Sequence, residues 1–113
     1  SYKTGQVLKM PIAHAMGNYY GDDNIIDDLL KNKQIIFRYC DDGGEVNDDV
    51  NPNGAMLNIA GITNKAGNVL GMMPHPERCV EDLTSRTMKS KDSRTDGLML
   101  FESMLSSIIR TNL

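Results

Sequence analysis

Apolar and polar positions recur along the chain at two periods, and the period predicts each element. Residues 7–13, Val-Leu-Lys-Met-Pro-Ile-Ala, predict a strand, with Pro11 confining it to an edge or forcing a bulge. Asp22 and Asp23 are N-cap candidates for a helix to about Lys31, since Ile25, Ile26, Leu29 and Leu30 share one helical stripe. Residues 35–39 are a short branched and aromatic run that predicts a buried strand. Residues 41–54 are all punctuation, with Asp-Gly-Gly, Asn-Asp-Asp and Asn-Pro-Asn-Gly, and predict a long acidic loop. Two more strands are predicted at 57–63 and 69–73, and the Gly-containing connection 64–68 suits an antiparallel hairpin. Residues 84–95 have no period and predict a mobile connection. Asp96 then caps a last helix on which Leu98, Phe101, Leu105 and Ile108 form an apolar stripe. Arg110 falls in its final turn, where the helix dipole favours a cation.

At 113 residues the chain amounts to one domain at most, with material for a modest core. Twelve Lys and Arg against fifteen Asp and Glu give a net charge of −3. That balance argues against a nucleic-acid partner and against a polybasic membrane anchor. No apolar run approaches the roughly 20 residues that would span a bilayer, and without a basic n-region and an apolar h-region at its opening no signal peptide is expected. Two cysteines, Cys40 and Cys79, are too few for a disulfide framework and are expected as reduced thiols in a cytoplasmic protein. The chain opens at Ser1 without an initiating Met, so a piece of something longer is expected.

The chemistry concentrates in Gly71-Met72-Met73-Pro74-His75-Pro76-Glu77-Arg78. A buried strand is expected to deliver His75 between two prolines, which fix φ and remove two backbone donors. In an extended segment residues i and i+2 point the same way, so Glu77 can accept a hydrogen bond from the His75 ring. The other ring nitrogen is then free to take a proton, which is the base-and-orienter half of a nucleophilic triad. The competing reading of the same spacing is a surface turn with an incidental histidine. Metal readings are weaker. Asp49-Val50-Asn51-Pro52-Asn53-Gly54 opens like a calcium loop, but its twelfth position is Ala60 and no helix is predicted to flank it. His75, Glu77 and Cys79 could offer three zinc donors, with His14 and Cys40 placed in distant loops. No metal site is assigned.

Five segments together resemble a known family: Pro11-Ile12-Ala13-His14, Gly17-Asn18-Tyr19-Tyr20, Asn51-Pro52-Asn53-Gly54, Asn58-Ile59-Ala60-Gly61-Ile62, and 71–78. Their order and spacing resemble the glutamine amidotransferase subunit of phosphoribosylformylglycinamidine synthase, a class I glutamine amidotransferase of purine biosynthesis. Asp96-Gly97, Leu100-Phe101 and Ser103 look like that family's closing helix. The resemblance implies an α/β, flavodoxin-like fold: an open, mostly parallel sheet with helices on both faces. Residues 1–113 would supply the carboxyl-terminal part of that single domain, including one antiparallel hairpin. It also implies a Cys-His-Glu triad that hydrolyses L-glutamine and passes ammonia to a large synthetase subunit with a small accessory subunit. ATP and Mg would be used at the synthetase partner, and this chain would hold no cofactor.

In this resemblance His75 is the base and Glu77 its orienter. The family's nucleophile sits on a Gly-x-Cys-x-Gly elbow, and no such segment occurs here. Cys40 lacks flanking glycines and Cys79 lies four residues after His75, so both are expected to be buried structural thiols. The family's His-Gly-Glu-Gly stands here as His14-Ala15-Met16-Gly17, which removes a charge. His14 is a candidate for the glutamine pocket or the partner surface, or else a histidine satisfied by backbone. Tyr19 and Tyr20 are candidates for pocket or interface, or half-buried aromatics. The leading function is the glutaminase half-site; the alternative is a non-catalytic fragment or degenerate relative that acts as a partner-binding module.

Overall fold

The computed structural model describes residues 2–80 and 95–111, with side chains as far as residue 108. Among the described residues it is a small α/β structure with two α-helices and one three-stranded sheet. The chain divides into two compact units, Ala13–Pro74 and the pairing of Ser1–Ile12 with His75–Leu113. Among the described residues no helix is long and apolar enough to cross a membrane. The expected connection at 84–95 falls almost wholly outside the described residues.

In the first unit, helix α1 spans Asp23–Lys31. Asp22 caps it as expected, its carboxylate accepting from the Ile25 N–H at 2.9 Å. The helix ends in a Schellman arrangement: Gln34 N–H reaches Leu29 O at 2.9 Å and Lys33 N–H reaches Leu30 O at 3.2 Å. Lys33 sits at the left-handed position of that motif, φ 53°. Ile26 and Leu29 pack with Ile59, and Tyr19, Ile35, Met56 and Ile62 close around them.

Strands β1 (Ile35–Arg38), β2 (Ile59–Thr63) and β3 (Leu70–Met72) pair in that order, every pair antiparallel, so the predicted hairpin is present as β2–β3. No parallel pair lies among the described strands. Strands β1 and β2 both depart from expectation. The run at 35–39 is not fully buried; its side chains alternate, and Ile36 is 47% exposed because β1 is an edge with one face to solvent. The strand expected from residue 57 starts at Ile59, since Leu57 (φ 52°) and Asn58 (φ 58°) are left-handed and belong to the 3₁₀ turn Met56–Asn58. In β2 a side chain at Gly61 would come within 2.9 Å of the Phe37 ring and 3.1 Å of Met72 Cβ, so the glycine lets both neighbours close on it.

In the second unit, residues 7–13 form no strand, apart from a single bridge at Ile12. Pro11 has no N–H to give a ladder, and the Lys9 N–H is taken by the Asp96 carboxylate at 2.8 Å. Helix α2 spans Asp96–Thr111. Its cap position falls to Thr95, whose carbonyl accepts from Met99 N at 3.1 Å, so Asp96 is the first helical residue rather than the cap. The predicted apolar stripe is also displaced. Leu98, Phe101, Leu105 and Ile108 are exposed, whereas Asp96, Gly97 and Leu100 are buried. Periodicity counted residue types; the rotation of the helix is set by where Gly97 meets its neighbours.

The cost of holding a β-carbon-bearing residue in the left-handed region is about 1–2 kcal/mol, offset in part by the chain entropy that glycine adds to the unfolded state. Lys33→Gly is therefore expected to stabilise the fold by up to about 1 kcal/mol, read as a higher thermal midpoint. A lower midpoint would contradict the Schellman assignment.

Candidate functional site

His75 stands three residues beyond the end of β3 in sequence, with extended backbone (φ −104°, ψ 90°) at the head of a 3₁₀ turn, Pro76–Arg78. Pro76 favours that turn because its fixed φ suits the first helical position and its missing N–H is not needed there. The turn closes through Arg78 N to His75 O at 3.1 Å and Cys79 N to Pro76 O at 3.0 Å. This corrects the sequence argument in one respect. Glu77 reaches the histidine because the chain turns, not because it stays extended. β3 is also only half-buried, rather than the buried strand expected ahead of His75.

The contact itself is present. His75 Nδ1 and Glu77 Oε1 are 2.7 Å apart, with the two side chains 32% and 58% exposed. The Glu77 carboxyl is held below its usual range by a hydrogen bond from its own backbone N–H, then by the hydrogen bond with His75, with small contributions from the charges of His75 and Arg78. An ionised Glu77 accepts, so Nδ1 carries the proton it donates and Nε2 keeps its lone pair. A ring in that tautomer can take a proton at Nε2.

The backbone around this pair comes from three segments. His75 N–H donates to Pro11 O at 2.8 Å, Gly97 N–H donates to Cys79 O at 3.0 Å, and Lys9 N–H donates to the Asp96 carboxylate. The Tyr2 hydroxyl donates to the Asp96 carbonyl. Sequence reasoning missed Tyr2, Lys9 and Pro11, whose contributions are a hydroxyl and two main-chain groups. Asp96-Gly97 was legible only as a helix start.

Cys79 is a buried thiol as expected, its Sγ 3.5 Å from Lys9 O rather than turned into a donor set with His75 and Glu77. Cys40 is only partly buried, which corrects the expectation for that residue. The calcium-like segment spends its amide oxygens internally. Asn51 Oδ1 accepts from the N–H groups of Asn53 and Gly54, and Asn53 Oδ1 accepts from Ala55 N.

His14 lies in the other unit. Its carbonyl accepts from Gly17 N, but its Nδ1 is buried without a hydrogen-bond partner among the described residues, so the backbone-satisfied reading is corrected. Beside it Ala15 is left-handed (φ 46°) and Met16 is 97% exposed. Tyr19 packs against the core and lines a groove of about 250 Å³ over β2 and β3, whereas Tyr20 is 80% exposed rather than half-buried.

Known proteins resemble this chain over most of its length. The profile of the CobB/CobQ-like glutamine amidotransferase domain matches residues 1–106. The chain is 52% identical over 102 residues to phosphoribosylformylglycinamidine synthase subunit PurQ of Aquifex aeolicus, covering 90% of this chain and 41% of that relative. It is 48% identical over 109 residues to the subunit PurQ of Acaryochloris marina, covering 96% of this chain and 43% of the relative. With the subunit PurQ of Methanocaldococcus jannaschii the identity is 46% over 104 residues, or 92% and 42% of the two chains. The chain thus spans about two fifths of the length of the curated relatives it matches.

One titration checks the surroundings of the His75 turn. Burial first, then the negative charges of Asp96 and Cys79, push the Tyr2 phenol up to about 12. Because its folded value is raised, the stability it contributes is complete below the ordinary value near 10.0 and is lost as pH rises from there through about 12. Alkaline ultraviolet titration of the wild type minus Tyr2→Phe is expected to show one phenol ionising at about 12. A difference curve centred at the ordinary tyrosine value would contradict the partly buried environment of Tyr2.

Proposed function

The chain belongs to the CobB/CobQ-like glutamine amidotransferase domain family, and from that premise we propose that it is the base-and-orienter part of a phosphoribosylformylglycinamidine synthase glutaminase. The observation that carries this reading is the 2.7 Å contact between His75 Nδ1 and Glu77 Oε1. His75 is the general base, and Glu77 holds the ring in the tautomer that leaves Nε2 open. His14 is a subsidiary candidate for glutamine binding, favoured by a buried Nδ1 that has no hydrogen-bond partner among the described residues.

In this proposal the nucleophilic cysteine lies in the remaining length of the protein, on a Gly-x-Cys-x-Gly elbow. His75 takes the thiol proton as sulfur attacks the side-chain carbonyl of L-glutamine. It returns that proton to the leaving ammonia, and water then releases glutamate from the thioester. The ammonia goes to the large synthetase subunit, assisted by the small accessory subunit. ATP and Mg there drive the conversion of formylglycinamide ribonucleotide to its amidine. The setting is the cytoplasm, with neither nucleic acid nor membrane as partner. The open, mostly parallel sheet with helices on both faces belongs to the complete domain, of which residues 1–113 are the carboxyl-terminal part. Relatives more than twice as long support the reading of these residues as a part of such a domain. The second reading, a partner-binding module without catalysis, is favoured by the absence of the elbow from these 113 residues.

Three outcomes are expected. The 113-residue chain alone hydrolyses no glutamine. In the longer protein His75→Ala abolishes glutaminase activity while Glu77→Gln leaves a residue of it, and synthesis fed with free ammonia survives both. Cys40→Ser and Cys79→Ser each retain activity. Near-normal glutamine hydrolysis by His75→Ala would overturn the base assignment, and labelling of Cys40 or Cys79 by a glutamine-analogue electrophile would overturn the external nucleophile. No labelling of any cysteine in the longer protein would favour the binding module.

A further inference from the structure

We infer that Asp96 and Gly97, the first two residues of α2, are positioning residues that set the distance between His75 and Glu77. The inference rests on the assignment of those two side chains as base and orienter. Asp96 accepts from the Lys9 N–H and Gly97 donates to Cys79 O, on the two flanks of the pair. Both act through the backbone that carries it.

The pair does little to hold itself in place. One hydrogen bond joins two partly exposed side chains, and an exposed contact of that kind does not fix its own geometry. The turn beneath must do so. Its entry is fixed where His75 N–H meets Pro11 O at 2.8 Å, and its exit where Cys79 O meets Gly97 N–H at 3.0 Å. Residues 9–11 are in turn held to the same helix start, because the Asp96 carboxylate accepts the Lys9 N–H at 2.8 Å. Cys79 Sγ lies 3.5 Å from Lys9 O and joins the two flanks. The circuit closes on one dipeptide: entry through Asp96, exit through Gly97.

The space at Gly97 makes the same point independently. A β-carbon there would lie 2.1 Å from Pro76 O and 2.5 Å from Cys79 O. Both are main-chain atoms of the 75–79 segment and cannot rotate aside as a flexible side chain could. Any side chain at 97 must therefore move the turn or the helix. A hydrogen bond of 2.7 Å tolerates only a fraction of an ångström before it weakens. Asp96 is 5% exposed, and a carboxylate buried to that degree is retained where its acceptors are used.

The test uses this chain and the longer glutaminase together. In the chain, the Glu77 carboxyl is titrated by carbon-13 NMR in wild type, Gly97→Ala, Asp96→Ala and Asp96→Asn, with thermal unfolding of each. The Glu77 titration is expected to move upward in Gly97→Ala and Asp96→Ala. It is expected to stay near wild type in Asp96→Asn, whose amide oxygen still accepts from Lys9. In the longer protein Gly97→Ala is expected to lower kcat for glutamine on the order of 100-fold with KM unchanged, as a misplaced catalytic group does. A wild-type Glu77 titration in folded Asp96→Ala and Gly97→Ala overturns the inference. If Gly97→Ala does not fold, the contrast between Asp96→Ala and Asp96→Asn decides alone. Normal glutamine hydrolysis by His75→Ala would instead overturn the base assignment, and the catalytic sense of this inference with it, whatever the Glu77 titration does.

Discussion

The approach of the α2 backbone to the 3₁₀ turn at Pro76–Arg78 is the constraint on which the second unit depends. It exists because residue 97 has no side chain, and it determines three things at once. It fixes the exit of the turn that carries Glu77. It sets the rotation of α2, turning Asp96, Gly97 and Leu100 inward and Phe101, Leu105 and Ile108 outward. It also places the Asp96 carboxylate where the amino-terminal segment needs an acceptor, since Pro11 has already cost that segment a ladder hydrogen bond.

What the sequence made legible follows from range. Signals confined to a few residues held: Asp22 as a cap, the end of α1 near Lys31, the hairpin across 64–68, and the pairing of His75 with Glu77 two residues on. Signals that depend on distant partners did not. Residues 7–13 have strand composition, but their hydrogen bonds go to a helix start and to the backbone of His75. The stripe at Leu98, Phe101, Leu105 and Ile108 is a correct helical period on the wrong face, because period says nothing of which neighbour a helix meets. The start of β2 was displaced by two left-handed residues, Leu57 and Asn58, neither of them glycine, so composition carried no warning. Half of the candidate site was readable in the same way: the contact between His75 and Glu77 is local, while its backbone supports are spread over tens of residues.

The apolar side chains that α2 leaves exposed, Phe101, Met104, Leu105 and Ile108 among them, fit a chain that spans about two fifths of its relatives. Burying a leucine-sized side chain is worth about 1.5–3 kcal/mol, so leaving several of them in water is a stability that the isolated chain forgoes.

The sheet has a further consequence, in the time domain. Within it β2 is the strand bonded on both sides, and Ile59, Ala60 and Gly61 are its buried residues. β1 and β3 are each bonded on one side only, and β1 meets β2 with two irregularities in register. Amide protons in β2 then exchange with solvent only when the sheet opens as a whole, while those on the outer edges exchange through smaller excursions. The fold thus carries a graded clock of openings, slowest at its middle strand, where Ile59 ties the sheet to α1.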